Sequence, residues 1–261
     1  MLRKGDLTQG GITGTLLHFT LPMLVGSFLQ QCYNIADTLI VGQCIGAGAL
    51  AAVGSAYTLM VFLISVLLGL AMGSGTVFSL HYGAGNHVAL RRSIFSSFAL
   101  IGIVTLILNV VVFIWLDPIL RLLQVPQDIY GMMRSYLWII FCGIVFTFIY
   151  NFYASLLRAV GDSVTPLWFL AVSVVLNIAL DLFFILQLDW GIQGAAAATV
   201  LAQGVAALGI IIYTYRRRPE LRWHHEDMCF DRTCLKEIAS FSTLTCVQQS
   251  VMNLGILMIQ G

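Results

Sequence analysis

Residues 93–116 run for 24 positions without one charged side chain. About 20 apolar residues at 1.5 Å each cross the hydrocarbon layer of a bilayer, and a helix satisfies its own backbone there. Other predominantly apolar runs occupy 13–41, 51–80, 130–158, 164–187 and 192–215, and another opens near 236 and continues to the last residue. Gly83-Ala84-Gly85-Asn86, Asp117-Pro118, Pro126 and Gly161-Asp162 supply the breaks. With 59% hydrophobic and 10% charged residues and a mean hydropathy of +0.91, the chain falls outside the soluble globular class. The fold class is all-α integral membrane: a six-helix transmembrane bundle plus the start of a seventh helix. The first apolar run has no small-residue cleavage site and reads as a retained span.

Basic residues set the orientation. Arg3, Lys4, Arg91, Arg92, Arg158, Arg216, Arg217, Arg218, Arg222, Arg232 and Lys236 fall on one side, and Arg121 and Arg134 on the other. That bias places the N-terminus and the 216–235 loop in the cytoplasm. The Arg216–Arg218 run reads as a topology anchor, with anionic headgroup binding as its alternative. Trp115, Trp138, Trp168 and Trp190 lie near helix ends, as interfacial anchors do.

The six cysteines form no paired framework and read as small or reduced thiols. His224, His225, Cys229 and Cys234 share a polar stretch, but their spacing matches no standard zinc pattern. His18, His81 and His87 read as solvated or interfacial.

Two carboxylates stand inside apolar runs: Asp37, in Gln30-Gln31-Cys32-Tyr33-Asn34-Ile35-Ala36-Asp37, and Asp181, in Asn177-Ile178-Ala179-Leu180-Asp181. A charged aspartate in mid-membrane costs about 2.5–3.5 kcal/mol on the lenient insertion scale, so such residues face a bundle interior or an aqueous cavity. Gln30, Asn34 and Asp37, with Tyr33 beside them, share one face of the first helix. Ser173, Asn177 and Asp181 make a stripe on the fifth, and Thr199 and Gln203 one on the sixth. Lipid satisfies none of these groups, so the stripes are expected to face one another.

Depth agrees: Asp37 and Asp181 lie about 30 and 22 Å from the cytoplasmic ends of their helices, and Thr199 about 12 Å from the outer end of its own. Two carboxylates, an amide and a hydroxyl at similar depth suit a hard cation such as Na⁺, and the same set can carry a proton. The plainer alternative is hydrogen bonding between helices. Pro22, inside the first helix about 22 Å from Asp37, removes a backbone hydrogen bond and invites a bend. The seventh segment echoes the first: Gln30, Asn34 and Gly42 recur at the same spacing as Gln249, Asn253 and Gly261. Such an echo marks the construction of secondary transporters from internal repeats.

Pro22, the Gln30–Asp37 stretch with Val41-Gly42, Leu50-Ala51-Ala52-Val53-Gly54, residues 157–166 (LRAVGDSVTP) and Leu176–Asp181 together resemble the multidrug and toxic compound extrusion (MATE) family, bacterial type. The likeness covers essentially the whole chain. It implies a twelve-helix antiporter of two six-helix lobes that alternate between inward- and outward-facing states, expelling organic cations or amphipathic drugs against Na⁺ or H⁺ influx. In the DinF-like branch the coupling site maps onto Asp37, Asn177, Asp181 and Thr199, which are the Na⁺ ligands if sodium is the driving ion. Pro22 matches the proline where that branch's first helix is proposed to bend. Gln30, Tyr33, Asn34, Tyr150 and Gln203 are candidates to line the drug cavity.

The expected organisation is an N-lobe over 1–215, a cytoplasmic inter-lobe loop over 216–235 and the opening of a C-lobe over 236–261. The expected setting is the inner (plasma) membrane, multi-pass. Expected partners are the bilayer, small drugs and a C-lobe in the same or a second chain, with no nucleic acid and no cofactor beyond the coupling ion. A lipid-linked oligosaccharide flippase of related fold is the alternative, but it calls for basic residues deep within the spans to hold pyrophosphate. The only arginines or lysines inside them, Arg134 and Arg158, stand near the two ends of one span. An intramembrane enzyme would need a nucleophile–base or metal constellation, and neither His-Glu-x-x-His nor Gly-x-Ser-x-Gly occurs. A non-transporting membrane fragment or scaffold is the third reading.

Overall fold

The computed structural model describes residues 12–223, Asp227 and 232–260, without the side chains at 12, 13, 15, 18, 58, 62, 232, 233, 250 and 252–260. Arg3, Lys4, His224, His225, Cys229 and Gly261 lie outside the described residues, as do the side chains of His18, Arg232 and Asn253. The order is α1 (Ile12–Cys44), α2 (Ala47–Gly83), α3 (His87–Leu122), α4 (Gln127–Cys142), α5 (Ile144–Ala159) and α6 (Val164–Leu182). A π-helical turn (Phe183–Gln187) extends α6; α7 (Gly191–Arg217), a 3₁₀ turn (Pro219–Leu221) and α8 (Arg232–Gln260) complete the chain.

Local chemistry explains the helix starts. The Asn86 side chain accepts from Ala89 N at 3.1 Å and opens α3. Asp162 accepts from Thr165 N and Thr165 Oγ1 at 3.0 and 2.9 Å, covering the first turn of α6. Helices α2 and α3 outrun the expected 51–80 and 93–116 because the flanking residues 47–50, 81–83, 87–92 and 117–122 stay helical. Pro118 lies within α3 rather than ending it, giving up one backbone hydrogen bond near the helix terminus. Likewise α1 runs through Pro22 without a break.

Four helices among the described residues are long and apolar enough to cross a membrane: Ala47–Gly83, His87–Leu122, Val164–Gln187 and Gly191–Arg217. The expected single span over 130–158 is instead two helices, Gln127–Cys142 and Ile144–Ala159, bent by 48° at Gly143. The bend has visible causes. Gly143 lies against α7 so closely that a Cβ would collide with the Val200 side chain. Asn109 of α3 donates from Nδ2 to the Phe141 carbonyl at 2.6 Å beside the break. Within a bilayer such a bond is worth about 0.6–1.7 kcal/mol, and Asn109→Leu is expected to lower unfolding stability by about that amount, read by denaturation in detergent.

Packing, rather than escape from water, holds helices together in lipid. Phe78 of α2, Phe98 of α3 and Phe148, Phe152 and Tyr153 of α5 interlock with ring centroids 5.2–6.5 Å apart. Ala195, Ala196, Ala198, Ala202, Ala206 and Ala207 are all buried on α7, letting neighbouring backbones approach closely. Outward-facing Phe28, Ile114, Val175 and Leu208 are exposed, as lipid contacts are, and so are Trp115, Trp138, Trp168 and Trp190.

Charges collect at the two ends. At one, Arg91 pairs with Asp227 at 2.8 Å, Arg218 with Asp162 and Glu220 at 3.5 Å, and His81 with Glu237 at 3.5 Å. At the other, Asp117 takes Arg134 at 2.7 Å and the Tyr130 hydroxyl at 2.9 Å. Helix α8 lies along α2, where Thr245 Oγ1 donates to the Gly69 carbonyl at 2.7 Å.

Candidate cation site

Three helices meet around the carboxylates. Helix α1 packs on α6, α7 packs on α6, and α1 and α7 also touch each other. The i, i+4 spacing of Tyr33 and Asp37 turns both side chains of α1 inward, and the same spacing does so for Asn177 and Asp181 on α6. Thr199 enters from α7. Relative exposures are 9% for Asp37, 1% for Asn177, 0% for Asp181 and 6% for Thr199. The four residues read from sequence as one site are thus buried together.

The hydrogen bonds run through Asn177 and Thr199. Donors meet acceptors when the Asn177 amide nitrogen donates to Asp181 Oδ2 at 2.9 Å and its oxygen accepts from Thr199 N and Oγ1 at 3.2 and 3.3 Å. Tyr33 OH lies 3.2 Å from Thr199 Oγ1. Asp37 and Asp181 face each other within hydrogen-bonding reach. Yet Oδ1 of each carboxyl is buried without a hydrogen-bond partner among the described residues, and no salt bridge among them reaches either group.

Two apposed carboxylates in low dielectric repel strongly, and unpaired buried oxygens are costly. A single positive charge between them relieves both problems. The donor set is all oxygen: two carboxylates, an amide and the Thr199 hydroxyl, with Tyr33 alongside. It fits Na⁺ or a proton. Among the described residues no three His, Cys, Asp or Glu side chains come together. Cys234 is buried and donates to Ser93 Oγ at 3.3 Å.

The remaining candidates are distributed differently. Gln30 is exposed, and Asn34 donates to Gln31 Oε1 at 3.2 Å within its own helix. Tyr150 donates to the Pro166 carbonyl at 3.0 Å, tying α5 to the start of α6. Gln203 accepts from the Thr147 hydroxyl, one turn beyond Thr199. Sequence reading missed Tyr136 of α4, which is 4% exposed and close enough to feel the charges of Asp37 and Asp181. A signal existed: Tyr136 interrupts the buried stripe Ile129, Met133, Leu137 and Ile140, and a tyrosine in such a stripe needs a polar neighbour.

The MatE family model matches residues 22–183. The probable multidrug resistance protein YpnP of Bacillus subtilis is 35% identical over 217 residues, covering 83% of this chain and 49% of that protein. The multidrug export protein MepA of Staphylococcus saprophyticus is 31% identical over 210 residues, covering 77% and 45%. The chain spans about half the length of the curated relatives it matches. Among solved structures, a multidrug resistance MATE family transporter in its outward-facing conformation superposes with a TM-score of 0.91 at 24% identity, over 98% of this chain and 57% of that one. An inward-facing MATE transporter gives 0.78 at 25% identity over 92% and 55%. The chain belongs to the MatE family of multidrug and toxic compound extrusion transporters.

Proposed function

We propose that this chain is the cation-binding lobe of a multidrug efflux antiporter, in which Na⁺ or H⁺ taken up by Asp37 and Asp181 drives export of organic cations or amphipathic drugs by alternating access. The observation that carries the reading is the pair of buried, mutually facing carboxylates, each with one unpartnered oxygen, brought together from α1 and α6. Asn177 and Thr199 complete the oxygen set that would hold Na⁺. The relatives' multidrug export and resistance names support the drug side of the reading. The Lys and Arg bias supports an inner (plasma) membrane protein with its N-terminus in the cytoplasm.

Alternating access needs two bodies that move against each other, and this chain spans about half its relatives. A second lobe, in the same or another chain, is therefore the expected partner. Residues 1–261 reconstituted as a monomer are expected not to extrude dye, and the same lobe joined to a C-lobe is expected to do so. Imposed Na⁺ and H⁺ gradients applied separately identify the driving ion. Dye efflux that survives dissipation of both gradients would sink the proposal.

A further inference from the structure

Thr199 borders two polar environments. On one side are Tyr33, Asn177 and the carboxyl pair. On the other is a cavity of about 20 Å³ whose polar lining is Thr147, Thr199 and Gln203, and which Met60 and Ile64 of α2 close with apolar surface. It sits where α4 and α5 part at Gly143, since Phe141 and Ile144 also line it. One water needs about 10–15 Å³ and two to four polar partners. The cavity meets both conditions.

A count of donors and acceptors shows what it would hold. Thr199 Oγ1 donates to the Asn177 oxygen and takes the Tyr33 hydroxyl, which leaves it one lone pair. The Thr147 hydroxyl donates to Gln203 Oε1, leaving the Thr147 lone pairs and the Gln203 amide hydrogens. A water donating to Thr199 Oγ1 and Thr147 Oγ1 and accepting from Gln203 Nε2 uses all three. The polar line then continues one turn along α5, where Asn151 Nδ2 donates to the Thr147 carbonyl at 2.8 Å. Helices α5 and α7 both run toward the arginine-rich end, so Gln203 lies about 6 Å nearer that end than Thr199.

We propose that Thr147, Thr199 and Gln203 bind one structural water, and that this water is the point through which the Asp37–Asp181 pair exchanges protons or ion hydration with the cytoplasmic side. The exchange role rests on reading the carboxyl pair as the cation site; the water site does not. Thr147 and Gln203 are positioning residues: they hold the water and touch no carboxyl.

The test is infrared difference spectroscopy on the full chain in lipid nanodiscs after a pH step. Two signals are followed: a carboxyl band assigned by its loss in Asp37→Asn, and a water O–H band assigned by its shift in heavy-oxygen water. Thr147→Val with Gln203→Leu, and separately Ile64→Phe, which fills the cavity without touching a hydrogen bond, should each abolish the water band. Each should slow the carboxyl change at least about ten-fold, a barrier rise of about 1.4 kcal/mol, while its amplitude stays the same. Gln203→Asn should retain part of the rate. A water band that persists in folded Ile64→Phe, or carboxyl kinetics unchanged in both variants, overturns the proposal. A water band without any carboxyl change in the parent chain, after the pH step and after Na⁺ addition alike, overturns the cation-site reading and the exchange role, and leaves the water site standing.

Discussion

Asp37→Asn is expected to remove the chain's response to its coupling ion while leaving the fold intact. The substitution keeps the size and hydrogen-bonding reach of the side chain but deletes one of two facing buried carboxylates. Without ion, the variant should be at least as stable as the parent, because removing one of two repelling buried charges is seldom costly. The parent should gain about 2.7 kcal/mol when its ion is present at a hundred times its dissociation constant, and the variant should gain nothing. Thermal unfolding in detergent, with Na⁺ varied at constant ionic strength and pH varied separately, reads both quantities. In a transporter completed by a second lobe, the same substitution should abolish ion-driven dye efflux at unchanged expression. An intact ion response in Asp37→Asn would remove that residue from the site.

Gly73→Leu should be the most disruptive single change outside the site. Helix α8 lies on α2 with almost no room between backbones. A Cβ at Gly69 would stand 2.6 Å from Cys246 Sγ and 2.7 Å from its Cα, and one at Gly73 would run into the backbone of Ser242. A side chain can rotate away from an intruder; a helix backbone has to move as a whole. Overpacking usually costs about 1–3 kcal/mol, and this case belongs at or above the top of that range. Displacement of α8 should also speed maleimide labelling of Cys246. Gly54→Ala is the control, since nothing lies within 4 Å of a Cβ there, and it should stay within about 1 kcal/mol of the parent. Labelling and melting of Gly73→Leu equal to that control would refute the close-packed seam.

Both predictions use residues whose legibility in sequence differed. Asp37, Asn177, Asp181 and Thr199 were readable because a polar group in a bilayer is expensive wherever it sits. Cost alone marks such residues, and helical periodicity puts them on the inward face. The same reasoning places Gln30 and Asn34 on that face as candidates to line the drug cavity, and the structure sets them apart from the buried carboxyl pair. They share a face with Asp37 but lie two turns and one turn away, where Gln30 is exposed and Asn34 bonds within its own helix. Periodicity assigns a face and leaves open where along that face the neighbouring helix makes contact. Tyr150 had the composition of a cavity residue, yet its hydroxyl is taken by the Pro166 carbonyl, a bond set by how two helix ends meet.

The sequence by itself determined that the chain crosses a membrane, how its charges divide between the two ends, and which four polar residues must find one another. These follow from the polarity of the bilayer, which acts on each segment separately. The tertiary structure alone decided that the span over 130–158 bends at Gly143, that Tyr136 joins the carboxyl site, and that Thr147 and Gln203 line a cavity beside Thr199. Each of these depends on a contact between helices distant in sequence: Val200 and Asn109 at the break, α4 against α7, and α5 against α7. Periodicity within one helix carries no information about such distances. They come into being only when the helices pack.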